Sequence, residues 1–288
     1  MDLQKGFEAV APRAPEEVSS ALADMAPRLE AMGMTTTRRW AALLGQTGHE
    51  SSGFTRRTEG LWYTAPRLQA VWPAYFGDPR IAERYAKDPE ALANYIYGVK
   101  RARRLGNIMP EDGYRFRGRG WIQITGRDNY DRAARALDID LVNQPELAER
   151  PDIAFVIAAW FLKVHGRYGR TALEWADLGN WEMVTRVVNP RMYGLEDRRQ
   201  KTARAFIGLS ASDPAARPTL RLGDTEVAVV VLQELLAQIS FNPGPIDGGF
   251  GGMTEDAVLA FQRHRRLTID GVVGRNTWRE LDRTVAQM

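Results

Sequence analysis

The sequence has no cysteine, only three histidines, and no apolar run of the roughly 18 residues that a membrane-spanning helix needs. The lack of cysteine excludes disulfides and thiolate metal ligands, so packing must hold the fold together. His49, His165 and His264 lie far apart in the sequence, which argues against a zinc site. We therefore expect no metal, no other cofactor and no membrane insertion.

The amino terminus lacks the features of an export signal. Residues 1–18, MDLQKGFEAVAPRAPEEV, contain no basic stretch followed by a long apolar segment. We therefore predict no signal peptide and synthesis in a cytoplasm. The 288 residues suffice for one large domain or two of unequal size, and 44% hydrophobic with 26% charged residues is ordinary for a soluble globular protein.

The net charge of +3 is unevenly distributed. Residues 224–288 carry six Arg, no Lys and nine acidic side chains, a net −3, so the preceding residues carry +6. The densest basic runs are 100–104 and 115–119. They form either a solvated basic face or a surface that attracts an anionic polymer, and both nucleic acid and cell wall fit that description. No nucleic-acid-binding motif accompanies the runs, so we expect no nucleic-acid partner.

Residues 15–209 have mainly helical periodicity. One helix is predicted to start at Thr35–Thr37, where a hydroxyl can cap it, a buried one covers 152–164, and a third runs from about 194 to 207. The alternating segment 121–125 predicts a strand or an extended segment. Residues 210–221 are rich in Ser, Pro, Asp and Arg without apolar periodicity, which predicts a linker.

The carboxyl-terminal segment contains an internal repeat. Residues 247–254 and 270–277 both have the pattern D-G-x-x-G-x-x-T, and they lie 23 residues apart. Each Asp-Gly favours a tight turn, and each Thr is predicted to cap the helix that follows. We predict three helices, over residues 227–238, 254–265 and 277–285.

This carboxyl-terminal pattern resembles the peptidoglycan-binding domain type 1 family over about residues 222–286. The resemblance rests on LQ at 232–233, AVLAFQ at 257–262 and DGVVGRNTW at 270–278. It implies a small three-helix module that binds the cell wall and has no catalytic activity of its own.

Two glutamates stand out in the first part of the chain. Glu50 falls at the carboxyl end of the helix begun at Thr35, where the helix dipole disfavours a negative charge, and Phe54, Trp62 and Tyr63 could lower the local polarity. Both effects favour the protonated carboxyl group that a general acid needs. Glu59 follows a glycine-containing loop, and glycoside hydrolysis requires such a pair of carboxyl groups.

The surrounding motifs resemble glycoside hydrolase family 19, the chitinase-like class that many bacteriophage endolysins use. The resemblance spans about residues 30–208, with matches in 49–51 (HES), 59–63 (EGLWY), 114–130 (YRFRGRGWIQITGRDNY) and 187–190 (VVNP). It implies a mainly α fold, with a lysozyme-like helical catalytic domain ahead of the small wall-binding domain. The predicted domains are therefore 1–209, a linker at 210–221, and 222–288.

The same resemblance implies roles for individual residues. It makes Glu50 the general acid and Glu59 the general base of an inverting hydrolase, and Thr125 the hydroxyl residue that helps hold the attacking water. Gln123, Asn129 and Asn189 correspond to polar residues that line the sugar subsites, and Tyr63 lines the cleft. The resemblance also implies an arginine beside the base, Glu59. Arg198 is expected to be this arginine, and Arg199 is the alternative.

Each polar residue also has a structural interpretation. Gln123 and Asn129 could satisfy backbone groups in the glycine-rich turn, Asn189 could be a turn residue, and Thr125 could cap the helix after Gly126. His49 is predicted to have a structural role.

The leading hypothesis is a monomeric endolysin, of the lysozyme or muramidase type, that hydrolyses the β-1,4 bonds of peptidoglycan and causes cell lysis. Peptidoglycan would be both substrate and wall-binding ligand. The enzyme would be made in the host cytoplasm and reach the periplasmic wall after holin-type release. A chitinase and a non-catalytic wall-binding protein are the alternatives. The sequence leaves open which of the two glycosidic bonds is cut.

Overall fold

The computed structural model describes residues 1–211, 217–225, 227–285 and 287. Two compact units make up the chain: the first contains Met1–Phe54 and Phe161–Met288, and the second contains Thr55–Trp160. These units divide the chain differently from the predicted domains, whose boundaries stay a prediction. Part of the predicted linker, 212–216, lies outside the described residues.

The amino-terminal part of the first unit consists of three helices, α1 (Leu3–Val10), α2 (Glu16–Ala31) and α3 (Thr37–Glu50). Thr36 caps α3 by accepting a hydrogen bond from Arg39 N at 3.2 Å, which confirms the predicted hydroxyl cap. Nine consecutive residues of α3, Trp40–Gly48, are buried. Helix α3 is therefore the central helix of this unit.

The first unit resumes inside helix α11 (Pro151–Val164), which contains the boundary between the two units. A short antiparallel pair and three helices follow: β1 (Gly166–Arg167), β2 (Arg170–Thr171), α12 (Ala172–Asp177), α13 (Trp181–Val188) and α14 (Leu195–Leu209). The predicted helices at 152–164 and 194–207 are confirmed to within two residues at each end.

Glycines allow α3 to pack very closely against its neighbours. A Cβ atom at Gly45 would overlap Thr202 of α14, and one at Gly48 would overlap Val10 of α1. Both glycines lie in the helix interior, where glycine costs about 1 kcal/mol relative to alanine. The close approach offsets that cost, and it places α14 directly beside the last turns of α3.

The second unit is built on an aromatic core. Its helices are α4 (Ala65–Val71), α5 (Pro73–Phe76), α6 (Pro79–Tyr85), α7 (Pro89–Ala93), a π-helix (Asn94–Lys100), α8 (Ala102–Leu105), α9 (Asp112–Arg115), α10 (Arg127–Leu137) and a 3₁₀ helix (Pro145–Glu149). Phe76 is fully buried, and Tyr85 and Tyr95 stack with ring centroids 4.4 Å apart. Phe76 touches both tyrosines, so the helices on either side of the core are held by ring contacts.

Residues 121–125 form a tight loop rather than the predicted strand or extended segment. Arg119 and Ile124 exchange two backbone hydrogen bonds, of 3.2 and 2.9 Å. Between them, Gln123 has a φ of +54°, a left-handed conformation that non-glycine residues rarely adopt. The alternating pattern predicted extended backbone, but the chain turns back within the four residues between Arg119 and Ile124 and does not pair along a sheet.

The carboxyl-terminal helices are α15 (Val227–Gln238), α16 (Gly252–His264) and α17 (Arg275–Val285). The three predicted helices are confirmed, but the predicted threonine caps are wrong. Thr254 and Thr277 lie inside the first helical turns, where their hydroxyls donate to Pro243 O and Val272 O of the preceding loops. Helices α16 and α17 begin two residues earlier than the pattern suggested, and the two hydroxyls bond to the loops that precede them.

A buried glutamine holds each repeat loop. Gln233 donates to Gly249 O at 3.0 Å and accepts from Gly248 N at 3.0 Å. Gln262 makes the corresponding bonds to Val272 O at 2.9 Å and from Gly271 N at 3.0 Å. The sequence repeat is thus a structural repeat, in which one helix glutamine satisfies the backbone of the loop after its own helix.

Part of the predicted linker is integrated into this helical module. Arg217 is buried, donates to Asp282 at 2.9 Å, and lies over the ring of Trp278. Trp278 Nε1 donates to Pro218 O at 2.9 Å, and Leu220 exchanges backbone hydrogen bonds with Val273. Residues 217–220 are therefore fixed against α17 and its preceding loop.

The mainly α fold class is confirmed, since β1 and β2 are the only strands among the residues that the structure describes. Within the same residues, no helix combines the length and apolar character needed to cross a membrane.

Candidate functional site

Glu50 is the last residue of α3, as the sequence predicts. The chain turns sharply after it, because Ser52, Gly53 and Phe54 all have positive φ values. Ser51 stabilises this turn: its hydroxyl donates to Thr47 O at 2.7 Å and accepts from Phe54 N at 2.9 Å. Glu50 is half-buried and thus sits on a rigid helix end.

Arg198 contacts Glu50. The position beside Glu59 that the resemblance implies for it stays a prediction. Its guanidinium contacts the Glu50 carboxylate and also donates to Gln46 Oε1 at 2.8 Å and Tyr193 O at 3.1 Å. The Arg198 side chain is only 1% exposed. The Glu50 carboxyl group therefore has a buried positive charge as its direct neighbour, in addition to the carboxyl end of α3. The sequence could not reveal this pair because its members lie 148 residues apart.

A second ion-paired group anchors the start of α14. His49 Nδ1 and Lys201 Nζ both lie 2.5 Å from the carboxylate of Asp197. Burial acts to raise the pKa of Asp197, but the hydrogen bonds from Lys201 and His49 outweigh it and lower the pKa. His49 therefore has the predicted structural role: it ties α3 to the residue that precedes Arg198.

Glu59 lies in the second unit, in a loop where both of its carboxylate oxygens accept hydrogen bonds. Gly118 N donates to Oε1 at 2.6 Å, and Tyr97 OH donates to Oε2 at 2.7 Å. The backbone of Glu59 is fixed as well, since its N–H donates to Gly118 O at 3.0 Å. The side chain and the backbone of Glu59 are thus both held in one orientation, and a general base must be positioned in this way.

Tyr97 is a residue near Glu59 that no sequence motif indicated. It lies in the π-helix, is 9% exposed, and its pKa is raised by burial and next by the negative charge of Glu59. The hydroxyl therefore stays a donor. Asn107 supports it by donating to Tyr97 O at 3.2 Å while accepting from Arg127 N at 2.8 Å. A π-helix often marks a functional site. Nothing in the sequence predicts that these residues form one, so this signal could not be used.

Gln123 and Thr125 lie with Glu59 around Gly118. A Cβ atom at Gly118 would lie 3.0 Å from Gln123 Oε1, 3.3 Å from Thr125 Oγ1 and 3.4 Å from the carboxyl carbon of Glu59. The structure therefore brings together three of the predicted site residues. Thr125 does not cap α10, whose N-cap Gly126 has no side chain, and its hydroxyl donates instead to Gln123 O at 2.9 Å.

Three further predicted residues have structural contacts. Asn129 donates to Thr125 O at 2.8 Å, and Asn189 accepts from Arg191 N at 3.1 Å in the turn after α13. Tyr63 packs against Trp72 with ring centroids 5.1 Å apart. These contacts fix the residues in place, and sugar binding by them stays a prediction.

Trp62 presents a large aromatic face close to Glu59 in sequence. It is 69% exposed, although tryptophan is highly buried on average. From the sequence, Trp62 was expected only to lower the polarity around Glu50. Its exposure instead suits it to stack against a ligand.

The two basic runs differ in structure. In 115–119, Arg119 is 4% exposed and donates to Glu149 at 2.7 Å, and Arg115 donates to Val142 O at 3.0 Å. These arginines hold the loop together and do not form a free basic surface. In 100–104, side chains are exposed, so this run stays a candidate for attracting an anionic polymer.

Comparisons with known proteins agree with both resemblances. Residues 18–186 match the family model described as chitinase class I, of glycoside hydrolase family 19, and residues 225–281 match the putative peptidoglycan binding domain. A glycosyl hydrolase family 19 domain-containing protein of Haemophilus influenzae is 36% identical over 187 residues, which cover 64% of this chain and 86% of that protein.

More distant relatives match only in part. Chitinase 11 of Oryza sativa is 35% identical over 138 residues, and the match spans 40% of its length. The crystal structure of a bacterial family 19 chitinase covers 73% of this chain, with 20% identity and a TM-score of 0.47.

Proposed function

The chain belongs to glycoside hydrolase family 19 and carries a peptidoglycan-binding domain, and on this premise we propose that it hydrolyses the β-1,4 glycosidic bonds of peptidoglycan with inversion. The observation that carries the proposal is the arrangement around Glu59. Two donors hold its carboxylate, and Thr125 and Gln123 lie beside it. A fixed carboxylate with hydroxyl and amide neighbours suits the activation of a water molecule.

In the proposed reaction, Glu59 takes a proton from water as the water oxygen bonds to the anomeric carbon. The bond from that carbon to the leaving oxygen breaks, and Glu50 gives its proton to the leaving oxygen. Glu50 becomes a carboxylate in this step. Arg198, already in contact with it, stabilises the negative charge that appears, which lowers the energy of the transition state.

The wall-binding module supports peptidoglycan as the polymer. A module that holds an insoluble polymer raises the effective concentration of the substrate at the enzyme. We further propose a monomeric lytic enzyme of the lysozyme or muramidase type, acting as an endolysin that reaches the periplasmic wall after holin-type release.

The test compares the wild-type protein with Glu50→Gln and Glu59→Gln on purified Gram-negative sacculi and on colloidal chitin. Each variant should lose at least about 100-fold in rate, because general acid or base catalysis contributes at least that much. Glu83→Gln is the matched control, since Glu83 is exposed on α6, and it should keep the wild-type rate. Mass spectrometry of the released reducing ends identifies the bond that is cut.

Two outcomes would contradict the proposal. Full activity of one site variant would refute the role assigned to that glutamate. Full activity of both variants would favour catalysis by other residues. A wild-type protein that binds sacculi without releasing reducing ends would be a non-catalytic wall-binding protein.

A chitinase is the second candidate, favoured by the similarity to a rice protein named chitinase. Activity on colloidal chitin without activity on sacculi would establish it and would refute peptidoglycan hydrolysis.

A further inference from the structure

A polar groove lies between the wall-binding module and helices α13 and α14, all within the first unit. Its volume is about 610 Å³, in the range of roughly 300–1,000 Å³ that is usual for small-molecule sites. Its walls include the turn from α12 to α13 (178–182), Arg199 of α14, and the first repeat loop (247–249). The groove is therefore formed jointly by the module and by helices that precede it in the chain.

Charged side chains of both signs line this groove, namely Glu182, Arg199 and Asp247. Glu182 lies 2.9 Å from Arg186, one turn later in α13. Arg199 lies 3.5 Å from Glu196, one turn earlier in α14. Pairs of this kind on an exposed helix surface are weak, so a ligand can compete for both side chains.

Asp247 offers the groove a carboxylate oxygen that is still available. Its Oδ1 accepts from Gly249 N at 2.9 Å and from Gln233 Nε2 at 3.2 Å, and no other described residue donates to Oδ2. The hydrogen bond from Gly249 N lowers the pKa of Asp247, and the positive charge of Arg199 contributes to the same effect. Asp247 is therefore ionised at neutral pH and can accept hydrogen bonds from a cation.

Arg199 supplies the opposite charge from a different wall of the groove. Its charge acts on Asp247, but the two side chains form no direct ion pair. Between them, Asn180 uses its Oδ1 to accept from Met183 N at 3.0 Å, so its amide N–H groups are left to donate. A complementary ligand thus carries an ammonium group, a carboxylate and an amide carbonyl, which together describe a peptide.

We propose that this groove binds a stem peptide of peptidoglycan, with Asp247 accepting from the ammonium group of a diamino acid and Arg199 donating to a carboxylate. The inference rests on the proposed function for its choice of polymer. Chitin carries neither charge and would leave both side chains without a ligand partner. Wall binding then needs α14 as well as the module, and Arg199 directly follows Arg198, which contacts Glu50.

The test is calorimetric titration of the full-length protein with a soluble stem peptide that contains a diamino acid. This ligand has no glycosidic bond, so binding is measured without turnover. The wild type should bind it, and Asp247→Asn should weaken binding about fivefold, as expected for one exposed ion pair. The loop should stay folded, because asparagine keeps an acceptor for Gly249 N.

The matched control is Asp270→Asn, the same change in the second repeat loop. Asp270 Oδ1 accepts from Val272 N and from Gln262 Nε2, both at 2.9 Å, which are the bonds that Asp247 makes in the first loop. The control should keep the wild-type affinity, because the first repeat loop forms the wall of the groove. Equal losses in Asp247→Asn and Asp270→Asn would mean general damage to the module and would overturn the inference.

A change in the ligand tests the contact without relying on a variant. Acetylation of the side-chain amine removes the ammonium group, and the wild type should bind this peptide about fivefold more weakly. Asp247→Asn should cause no further loss with the acetylated peptide, because two partners of one interaction are not additive. Losses that multiply would show that Asp247 does not meet the amine and would overturn the inference.

The outcomes also separate this inference from the proposed function. A wild type that hydrolyses sacculi but does not bind the stem peptide refutes the inference alone. A wild type that binds the peptide with the non-additive pattern, but releases no reducing ends from sacculi, refutes the proposed hydrolysis and upholds the inference.

Discussion

The hydrogen bond from Tyr97 to Glu59 allows a sharp test of how the base is held. The variant Tyr97→Phe removes one hydroxyl from a side chain that is 9% exposed, and it keeps the ring. Among the described residues, Glu59 then keeps a single donor, Gly118 N at 2.6 Å, and its carboxyl group can rotate about the bond to Cγ. The 2.7 Å bond that is lost joins a hydroxyl to a carboxylate. Such charge-assisted bonds contribute about 1.5–3 kcal/mol.

Loss of this donor frees the Glu59 carboxylate to leave its observed orientation. A misplacement of about 1 Å reduces rates by about 100-fold. We expect kcat to be lower by about 10- to 100-fold and KM to be nearly unchanged, because Tyr97 is buried and a positional loss of this kind falls on the chemical step.

The assay measures kcat and KM on the polymer that the wild type hydrolyses, together with thermal unfolding. Tyr95→Phe is the matched control, because Tyr95 lies two residues away in the same π-helix and its contacts to Phe76 and Tyr85 are made by the ring. A Tyr97→Phe variant that folds normally and keeps kcat within about twofold of wild type would refute the reasoning.

The remaining predictions concern acid stability and the wall-binding module. The side chain of Asp112 is fully buried; burial acts to raise its pKa, but Arg127 and the N–H groups of Met109 and Ile108 outweigh it and lower the pKa below the ordinary 3.8. Its stabilising contribution is therefore present above pH 3.8 and is lost as the pH falls through the lower folded value. Denaturant unfolding should show Asp112→Asn to be less stable at pH 7 by about 3 kcal/mol, with a smaller further loss in acid than the wild type; equal acid losses would contradict this. Gln262→Leu leaves two backbone N–H groups of the second repeat loop without their acceptor. We expect less of this variant to sediment with sacculi, while its cleavage of soluble fragments stays unchanged. Equal losses in both assays would contradict this expectation.

The residues that could be predicted from the sequence are those whose role depends on nearby sequence. The apolar period and the repeat located Val227–Gln238 as observed, and Glu50 was placed correctly at a helix end because the helix is long and regular. The contact of Arg198 with Glu50, and that of Tyr97 with Glu59, connect residues 148 and 38 positions apart. No local pattern encodes such a pair, since it depends on how the helices pack.

The loop around Gln123 was missed for a different reason. Alternation of apolar and polar residues predicts a strand only if the backbone stays extended. The positive φ of Gln123 has no marker in the sequence, because a glutamine rarely adopts it and glycine would be the expected residue. The resemblance nonetheless predicted Gln123 and Thr125 as site residues, since it depends on their order and not on their conformation. The structure places both near Glu59, and their role at a site stays a prediction.

The packing of the wall-binding module on α14 changes how the module can act on a polymer. Arg217 reaches back to Ser210 at the end of α14, and Glu234 of α15 lies close enough to Arg204 to feel its charge. The same helix carries Arg198. A flexible linker would let the module and the helix move independently. Because the module packs on α14, a polymer bound to it would instead lie at a fixed distance from Arg198 and Glu50.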